Sequence, residues 1–450
     1  MKKILLLILV LSSAGIFAQK TASLKGTLKN FSRDIYLEDN SATGALLSTK
    51  YLLGKVGTKD FTYTLNLEKP GYYKIGKNYL FISPGDNIEC ALDFSDRMAA
   101  TFKGSAIDAN QYLALLPMQN GGSFLDNGKW MKNIQGKAAF DSIQNKKARL
   151  ANKLLELKKK KSITESFYQN ESSRLTFEML NSLMNFTPYY GYINQGMDPA
   201  LISTITVKAD SIFEKTVNSG LNNISGEANM ELEIFRQVMS YFSDTNFSNK
   251  YKHAPFTADQ NDYFAAAGFL QELQYNGVNG ENVKSHDELV TKIKNKTYVD
   301  AIEKAYGEYK IILPGASAAD LLMKNKDGKE FKLTQFQGKI TMIDFWATWC
   351  RPCLQEAPYF DSLRTKIGEE KVNFISLSTD RDKKAWLDYM NKHDKKGIQL
   401  HVEGQDLVAL YKLYYIPRFV LIGKDGKIID AFAPRPSDPK LEKLIRESMK

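Results

Sequence analysis

From about Lys20 to Phe102 the chain gives short alternating or β-rich runs, SLKGTL, DIYLED, FTYTLNL, YYKIG, YLFIS and NIECALDF, separated by turn signals such as KPG and SPGD. A period of two with regular punctuation predicts a small all-β domain. From about Asp108 to Lys310 the period lengthens. Phe140, Ile143, Leu150, Leu154 and Leu157 fall on one helical face, and Leu175, Met179, Leu183 and Phe186 on another. Ser285 followed by Glu288 ahead of Leu289 reads as a capping box that opens a later helix. These spacings predict a helical middle domain, and LPGASA, Leu313 to Ala318, reads as the linker beyond it. The pattern then turns mixed. Ile340, Met342, Ile343, Phe345 and Trp346 surround a single carboxylate, Asp344, in the manner of a central strand in a helix-covered parallel sheet.

Length sharpens this division, because 450 residues exceed what one core supports. The expected organisation is multidomain, with a C-terminal α/β unit preceded by a small all-β domain and a helical middle domain. Its boundaries are 1–18 for a signal segment, 19–107, 108–312 and 313–450. Lys2 and Lys3 precede the apolar run ILLLILVL, and small residues follow as far as Ala18, which is the layout of a secretory signal peptide. The run is shorter than the roughly 20 residues that span a bilayer. Cleavage after Ala18 leaves a soluble extracytoplasmic protein, most naturally periplasmic; the alternative is an uncleaved anchor. No cysteine follows the run, so it specifies no lipoprotein anchor.

Charge changes little. The formal balance of +10 is spread along the chain, and its densest run, Lys158 to Lys161, closes a predicted helix where cations complement the dipole. An exported chain with no recognisable nucleic-acid motif excludes nucleic acid as a partner. The aromatic cluster PYYGYI, Pro188 to Ile193, is read as core or inter-domain packing, with a binding surface as the alternative.

The chemistry is concentrated in ITMIDFWATWCRPCLQEAP, Ile340 to Pro358. Strand, turn and helix start follow one another, and Cys350 and Cys353 fall on the first helical turn. Unsatisfied N–H groups and the helix dipole favour negative charge there, so Cys350 holds a thiolate more readily than a free thiol of pKa about 8.5 and is the candidate nucleophile. Cys353, one turn further in, is placed to resolve a mixed disulfide formed on Cys350. Pro352 suits the first turn, where its missing N–H costs nothing, and Pro358 is expected to kink the helix. A structural zinc site needs four ligands, whereas this chain has three cysteines and four scattered histidines. A purely structural disulfide would close so short a loop for roughly 2 kcal/mol, against about 4.7 for a hundred-residue loop. Cys90, in the strand-like run NIECALDF, reads as a small buried hydrophobe. The expected redox group is therefore the cysteine pair itself, with no other cofactor and no metal.

DFWATWCRPC resembles the active-site segment of the thioredoxin superfamily, and its surroundings resemble the extracytoplasmic TlpA/ResA-like branch. The likeness covers about Leu313 to Lys450. LLMKNKDGKEFKLTQFQGK is similar to the hairpin preceding the redox core, VNFISLST to the next strand, and YKLYYIPRFVLIGKDGKII to the segment with the cis-proline. The N-terminal GTLKNF, PGYYKIG and LFISPGDNIE segments resemble a β-domain fused to such proteins in the Bacteroidetes. The resemblance implies a cis Ile416–Pro417 bond facing the cysteines, with the Ile416 backbone pairing with the substrate strand. It implies substrate contacts from Trp349, Arg351 and Pro352. It makes Asp344 the buried acid that takes the proton of the second thiol, and matches Glu356 to a glutamate lining the cleft; a solvated first-turn acid is the alternative for Glu356. The implied activity is that of an exported thiol-disulfide oxidoreductase reducing client disulfides, apocytochrome c among the candidates, with electrons from a membrane thiol-reducing transporter. Two alternatives stay open: a thiol oxidase or isomerase using the same cysteines, and an envelope binding protein with an auxiliary redox domain.

Overall fold

Alternation in the first hundred residues produces two four-stranded sheets. The strands are β1 (Thr21–Lys29), β2 (Ile35–Asp39), β3 (Lys50–Gly54), β4 (Asp60–Asn66), β5 (Gly71–Ile75), β6 (Asn78–Ile82), β7 (Asn87–Asp93) and β8 (Thr101–Gly104), with a short helix α1 (Ala42–Leu47) before β3. The sheet orders are β4-β1-β7-β8 and β3-β2-β5-β6. Leu24, Leu28, Ile88 and Leu92 of one sheet share a core with Leu37, Ile75, Leu80 and Ile82 of the other. The computed structural model describes residues 21–450 apart from 117–122, 127, 223–226, 244 and 394. The expected signal segment 1–18 lies outside the described residues.

Helical periodicity takes over with α2 (Ile107–Ala114), α3 (Gly136–Lys159), α4 (Glu165–Met184), α5 (Phe186–Ile193), α6 (Pro199–Asn222), α7 (Glu233–Ser240), α8 (Thr245–Lys250), α9 (Ala258–Asn276), α10 (Gly280–Lys292) and α11 (Lys296–Glu308). Ile143, Leu150, Leu154 and Leu157 of α3 are buried, as are Leu175, Met179 and Leu183 of α4. The lysine run closes α3 as its position suggested. The PYYGYI cluster divides: Tyr190 is buried, whereas Tyr192 is exposed. One expectation fails. α10 opens at Asn279, whose side chain accepts from Asn282 N–H while the Asn282 carboxamide accepts from Asn279 N–H. Ser285 lies inside that helix and donates to Glu281 O. The asparagine box six residues upstream caps first, so Ser285 has no free helix end to satisfy.

The chain forms two compact units, one ending at Gln260 and the other running from Asn261 to Lys450. In the first, β6 is buried throughout because its second face meets helices. Phe81 packs 5.0 Å from Phe167 of α4, and its N–H donates to the Asn110 side chain of α2. Beside it lies an ionic cluster with no solvent contact. Arg174 Nε donates to both carboxylate oxygens of Glu171 at 3.0 Å, and Tyr72 OH donates to Glu171 at 2.6 Å. The Arg174 guanidinium also lies over the Tyr72 and Tyr79 rings.

The second unit contains a seven-stranded sheet in the order β10-β9-β13-β12-β11-β14-β15. Its strands are β9 (Leu322–Lys324), β10 (Glu330–Lys332), β11 (Ile340–Trp346), β12 (Val372–Ser378), β13 (Ile398–Val402), β14 (Arg418–Ile422) and β15 (Ile428–Asp430). Helices α12 (Arg351–Ile367), α13 (Lys383–Lys392), α14 (Leu407–Tyr411) and α15 (Pro439–Ser448) accompany them. β11 pairs in parallel with β12 and antiparallel with β14, and both faces of the sheet are covered. This is the thioredoxin-like α/β fold, and the chain is multidomain as its patterns indicate. The LPGASA segment is anchored to the sheet: Gly315 N–H donates to Ile428 O, and Ser317 bridges to Lys427.

Replacing Arg174 by leucine leaves Glu171 charged and uncompensated in the first unit's interior. The expected loss is about 3–5 kcal/mol by denaturant unfolding, with much of it recovered when Glu171 is also made leucine. A loss under 1 kcal/mol would show that the pair is not structural.

Candidate active site

β11 is buried at all seven positions and delivers its carboxyl end to the helix-covered side of the sheet. The turn that follows is clamped to the end of β12. Trp346 O accepts from Thr379 N–H at 2.8 Å, and the Thr348 N–H and hydroxyl donate to the Asp380 carboxylate at 3.0 and 2.7 Å. Ser378 donates to the same carboxylate at 2.8 Å, while His401 Nε2 donates to Asp380 O at 2.7 Å. His401 in turn stacks on the buried Trp386 ring. Asp380 thus fixes the backbone immediately before the cysteines.

Cys350 is the N-cap of α12, and its Sγ accepts from Cys353 N–H at 3.2 Å. Pro352 stands in the first turn, and the helix continues through Pro358 to Ile367. The two cysteines form a disulfide with Cα atoms 5.3 Å apart. Both are buried against Trp346, Ala347 and Trp386, and Ile416 packs on the same group. The Ile416–Pro417 bond is cis. Ile416 and Pro417 are half-buried, Arg351 and Pro352 exposed, and Trp349 stands out at 71% exposure. Cys350, Cys353 and Ile416 therefore meet in one place, with cis-Pro417 next to Ile416 in the chain and Trp349 exposed close to Cys350 in sequence.

Asp344 shares the α12-facing side of β11 with Ile340 and Met342. Burial pushes its carboxyl up to about 8; Lys395 opposes that shift, and Glu356 and Asp361 add to it. Its Oδ1 has no hydrogen-bond partner among the described residues. Asp344 and Cys353 line a cavity of about 10 Å³ with Trp346, Asp361, Lys395 and Gln399. That is room for about one water. A protonated carboxyl in such a place is poised to exchange a proton near neutral pH.

Glu356 is buried rather than solvated. Its carboxylate accepts from Ser437 N–H at 3.0 Å and Ser437 hydroxyl at 2.9 Å, with Arg435 3.9 Å away, so it ties α12 to the segment before α15. Cys90 is a free, buried thiol in the first unit, pushed up to about 12 by burial. Burial of the neutral thiol fits its reading as a hydrophobe.

Sequence reasoning did not single out Asp380, Lys395 or Arg418. Asp380 had a usable signal: it lies two residues beyond a parallel strand, where the carboxyl ends of such sheets collect functional groups. Lys395 and Arg418 had none, since their roles depend on loops folding back. Arg418, next to the cis-proline, lies 3.4 Å over the Phe432 ring and donates to Gln274 O at 3.1 Å; burial pulls its guanidinium down to about 10.

Residues 313–445 match the family model described as Redoxin. Over 133 residues the chain is 30% identical to the thiol-disulfide oxidoreductase ResA of Bacillus thuringiensis subsp. konkukian, a stretch covering 30% of this chain and 77% of that protein. It is 29% identical to ResA of Bacillus anthracis over the same shares. A solved structure of a candidate thiol-disulfide oxidoreductase from Bacteroides vulgatus is 41% identical, covers 31% of this chain and 99% of its own, and superposes with a TM-score of 0.30.

The Asp344 geometry predicts a pH dependence of stability in the oxidised protein. A carboxyl raised from its usual 3.8 to about 8 keeps its proton in the folded state where the unfolded chain has lost it. Its contribution is therefore full below about pH 4, falls as pH rises towards 8, and levels off above. Each pH unit in that window costs up to about 1.4 kcal/mol. Asp344→Asn is expected to flatten this part of the profile, measured by denaturant midpoints from pH 4 to 9. An unchanged slope would place the ionisation elsewhere.

Proposed function

Because this chain belongs, through residues 313–445, to the thioredoxin-superfamily thiol-disulfide oxidoreductases related to ResA, TlpA and DsbE, we propose that it works as an exported dithiol reductase of client protein disulfides. The observation that carries this reading is the unequal setting of the two sulfurs. Cys350 caps a helix N-terminus and Cys353 shares a cavity with a carboxyl that titrates near neutral pH. In the reduced protein the Cys350 thiolate attacks a client sulfur; the client S–S bond breaks, and one client thiolate leaves. The ionised fraction of Asp344, present near neutral pH because its carboxyl is raised only to about 8, takes the Cys353 proton. Cys353 sulfur then attacks Cys350, the second client thiolate departs, and the Cys350–Cys353 disulfide forms. Two electrons have moved to the client, so a dithiol donor must return them; a membrane thiol-reducing transporter is the donor class we propose.

The direction follows from charge. Arg351, beside Cys350, is exposed, and such a cation stabilises a thiolate by about 0–1 kcal/mol. A strong oxidant lies about 150 mV above thioredoxin, near 7 kcal/mol for two electrons. Asp344, once ionised, opposes thiolate formation at Cys353 and so favours the disulfide. No helix among the described residues is long and apolar enough to cross a membrane. We assign the protein to the periplasm on its N-terminal pattern, and apocytochrome c to the candidate clients. In this organisation Trp349, Arg351, Pro352, Ile416 and Pro417 contact the client. Residues 19–107, 108–312 and 313–450 form the β, helical and redox domains.

Equilibration of the pair in thiol–disulfide buffers, followed through Trp346 and Trp349 fluorescence, is expected to give a reduction potential near about −270 mV. A value near about −120 mV would make the protein an oxidant. Cys350→Ser is expected to abolish client reduction and Cys353→Ser to accumulate trapped mixed disulfides; normal turnover in either removes the assigned roles.

A further inference from the structure

The thioredoxin-like fold ends on one side at the cis-proline segment, but the protein does not. α9 to α11 stand against that segment within the second unit. Tyr275, at the end of α9, stacks on Tyr415 with ring centroids 4.2 Å apart and planes 5° from parallel, and Tyr415 OH donates to the Gln274 side chain at 3.3 Å. Arg418 donates to Gln274 O, and Lys412 Nζ donates to Glu308 of α11 at 3.0 Å. Gly277, at φ +65°, lets the chain turn directly against Phe432, where a Cβ would lie 2.3 Å from the ring. The helices are thus bonded to both ends of the Lys412–Arg418 segment.

Between them lies a cleft of about 920 Å³. One wall is helical, with Glu272, Tyr275 and Val278. The other is the redox fold, with Ile416, Pro417 and Arg418. Ile416 belongs to both places, since it lines this cleft and packs on the cysteine cluster. Its backbone N–H and C=O make no hydrogen bond among the described residues. Tyr275 and Tyr415 are 51% and 41% exposed although stacked, so the pair presents aromatic surface on the cleft both line.

Resting on the reductase reading, we propose that the end of α9 and the turn into α10 form the second wall of the client site, and that its occupant is an extended polypeptide segment flanking the client disulfide. The open backbone of Ile416 asks for a strand partner, which a small thiol cannot supply. The cleft lies at the upper end of the roughly 300–1,000 Å³ range of ligand sites, large enough for several residues beside the reacting cysteine. Tyr275 and Val278 then set affinity for polypeptide, while the cysteines and Asp344 set the chemistry.

The test uses the full-length, pre-reduced protein in single-turnover stopped flow with two probes that release the same chromophore. One is Ellman's reagent; the other is a ten-residue cysteine peptide held as its mixed disulfide with thionitrobenzoate. Wild type is expected to saturate with the peptide. Tyr275→Ala and Val278→Arg are expected to raise the half-saturating peptide concentration about tenfold with little change in limiting rate, and to slow the peptide reaction far more than the Ellman reaction. Tyr275→Phe, which keeps the ring stack, is expected to behave as wild type. The proposal is overturned if the peptide reaction is unaffected in both disruptive variants, or if both probes slow alike, as they would if the cis-proline segment had merely shifted. A wild-type protein that reacts with neither probe would instead sink the reductase reading itself.

Discussion

A carboxyl group inside an all-buried strand must find a partner or keep its proton, and Asp344 keeps its proton to about pH 8. That constraint organises the catalytic end of the second unit. The strand carrying Asp344 is held on both sides by neighbouring strands, so the group cannot rotate out to water without breaking the central sheet. α12 closes over it, bringing Cys353 to the same cavity. Lys395 reaches it from the loop before β13 and offsets part of the desolvation, which keeps the carboxyl within reach of neutral pH instead of permanently protonated. Moving any one of these three elements would change the proton affinity of the group beside Cys353.

Charge burial serves a different purpose in the first unit. Glu171 and the Arg174 Nε are bonded to one another beneath Tyr72 and Tyr79, and the surrounding contacts join a β-sheet face to α4. Such a pair adds little net stability over apolar side chains of similar volume, but it tolerates few alternative packings, because every other arrangement strands a charge. Lys74 and Tyr79, both bonded to Glu233 of α7, extend the same logic to a more exposed rim.

Much of this was legible in the chain, for reasons that vary from residue to residue. Period-two alternation marks β1, β2, β4 and β7, whereas GYYKI of β5, NYLFI of β6 and KYLLG of β3 have no clean alternation and TFKG of β8 is too short to show one. α1 spans less than two turns, below the length at which a helical period can be read. YLFIS reads only as a strand; that both its faces are covered depends on helices whose contact with it no local pattern encodes. The Ser285 capping box was a true motif in the wrong place, since nothing local says that Asn279 and Asn282 close the helix first. At the active site the cysteines and the burial of Asp344 are legible because strand, turn and helix follow one another in sequence, whereas the cis bond at Pro417 was legible only through the family resemblance. Asp380, Lys395, Arg418 and the Tyr275–Tyr415 stack arise from segments brought together by the fold, and Glu356 gave no sign that its partner would be Ser437.

The two sulfurs of one short motif end in opposite electrostatic settings, and this asymmetry gives the pair a working order. Cys350 lies at the positive end of α12, accepting a backbone hydrogen bond that strengthens when sulfur is charged. Cys353, three residues later, is buried and lines the same cavity as the Asp344 carboxyl, to which the proposed mechanism passes its proton. In the mechanism proposed above, the outer sulfur is nucleophilic before any client arrives, whereas the inner one becomes so by proton transfer. Were both stabilised alike, the reduced pair would gain stability and the protein would drift towards an oxidant. In the proposed reductase, favouring one thiolate and opposing the other keeps attack fast while the disulfide remains the more stable end state, as a protein that gives electrons away requires.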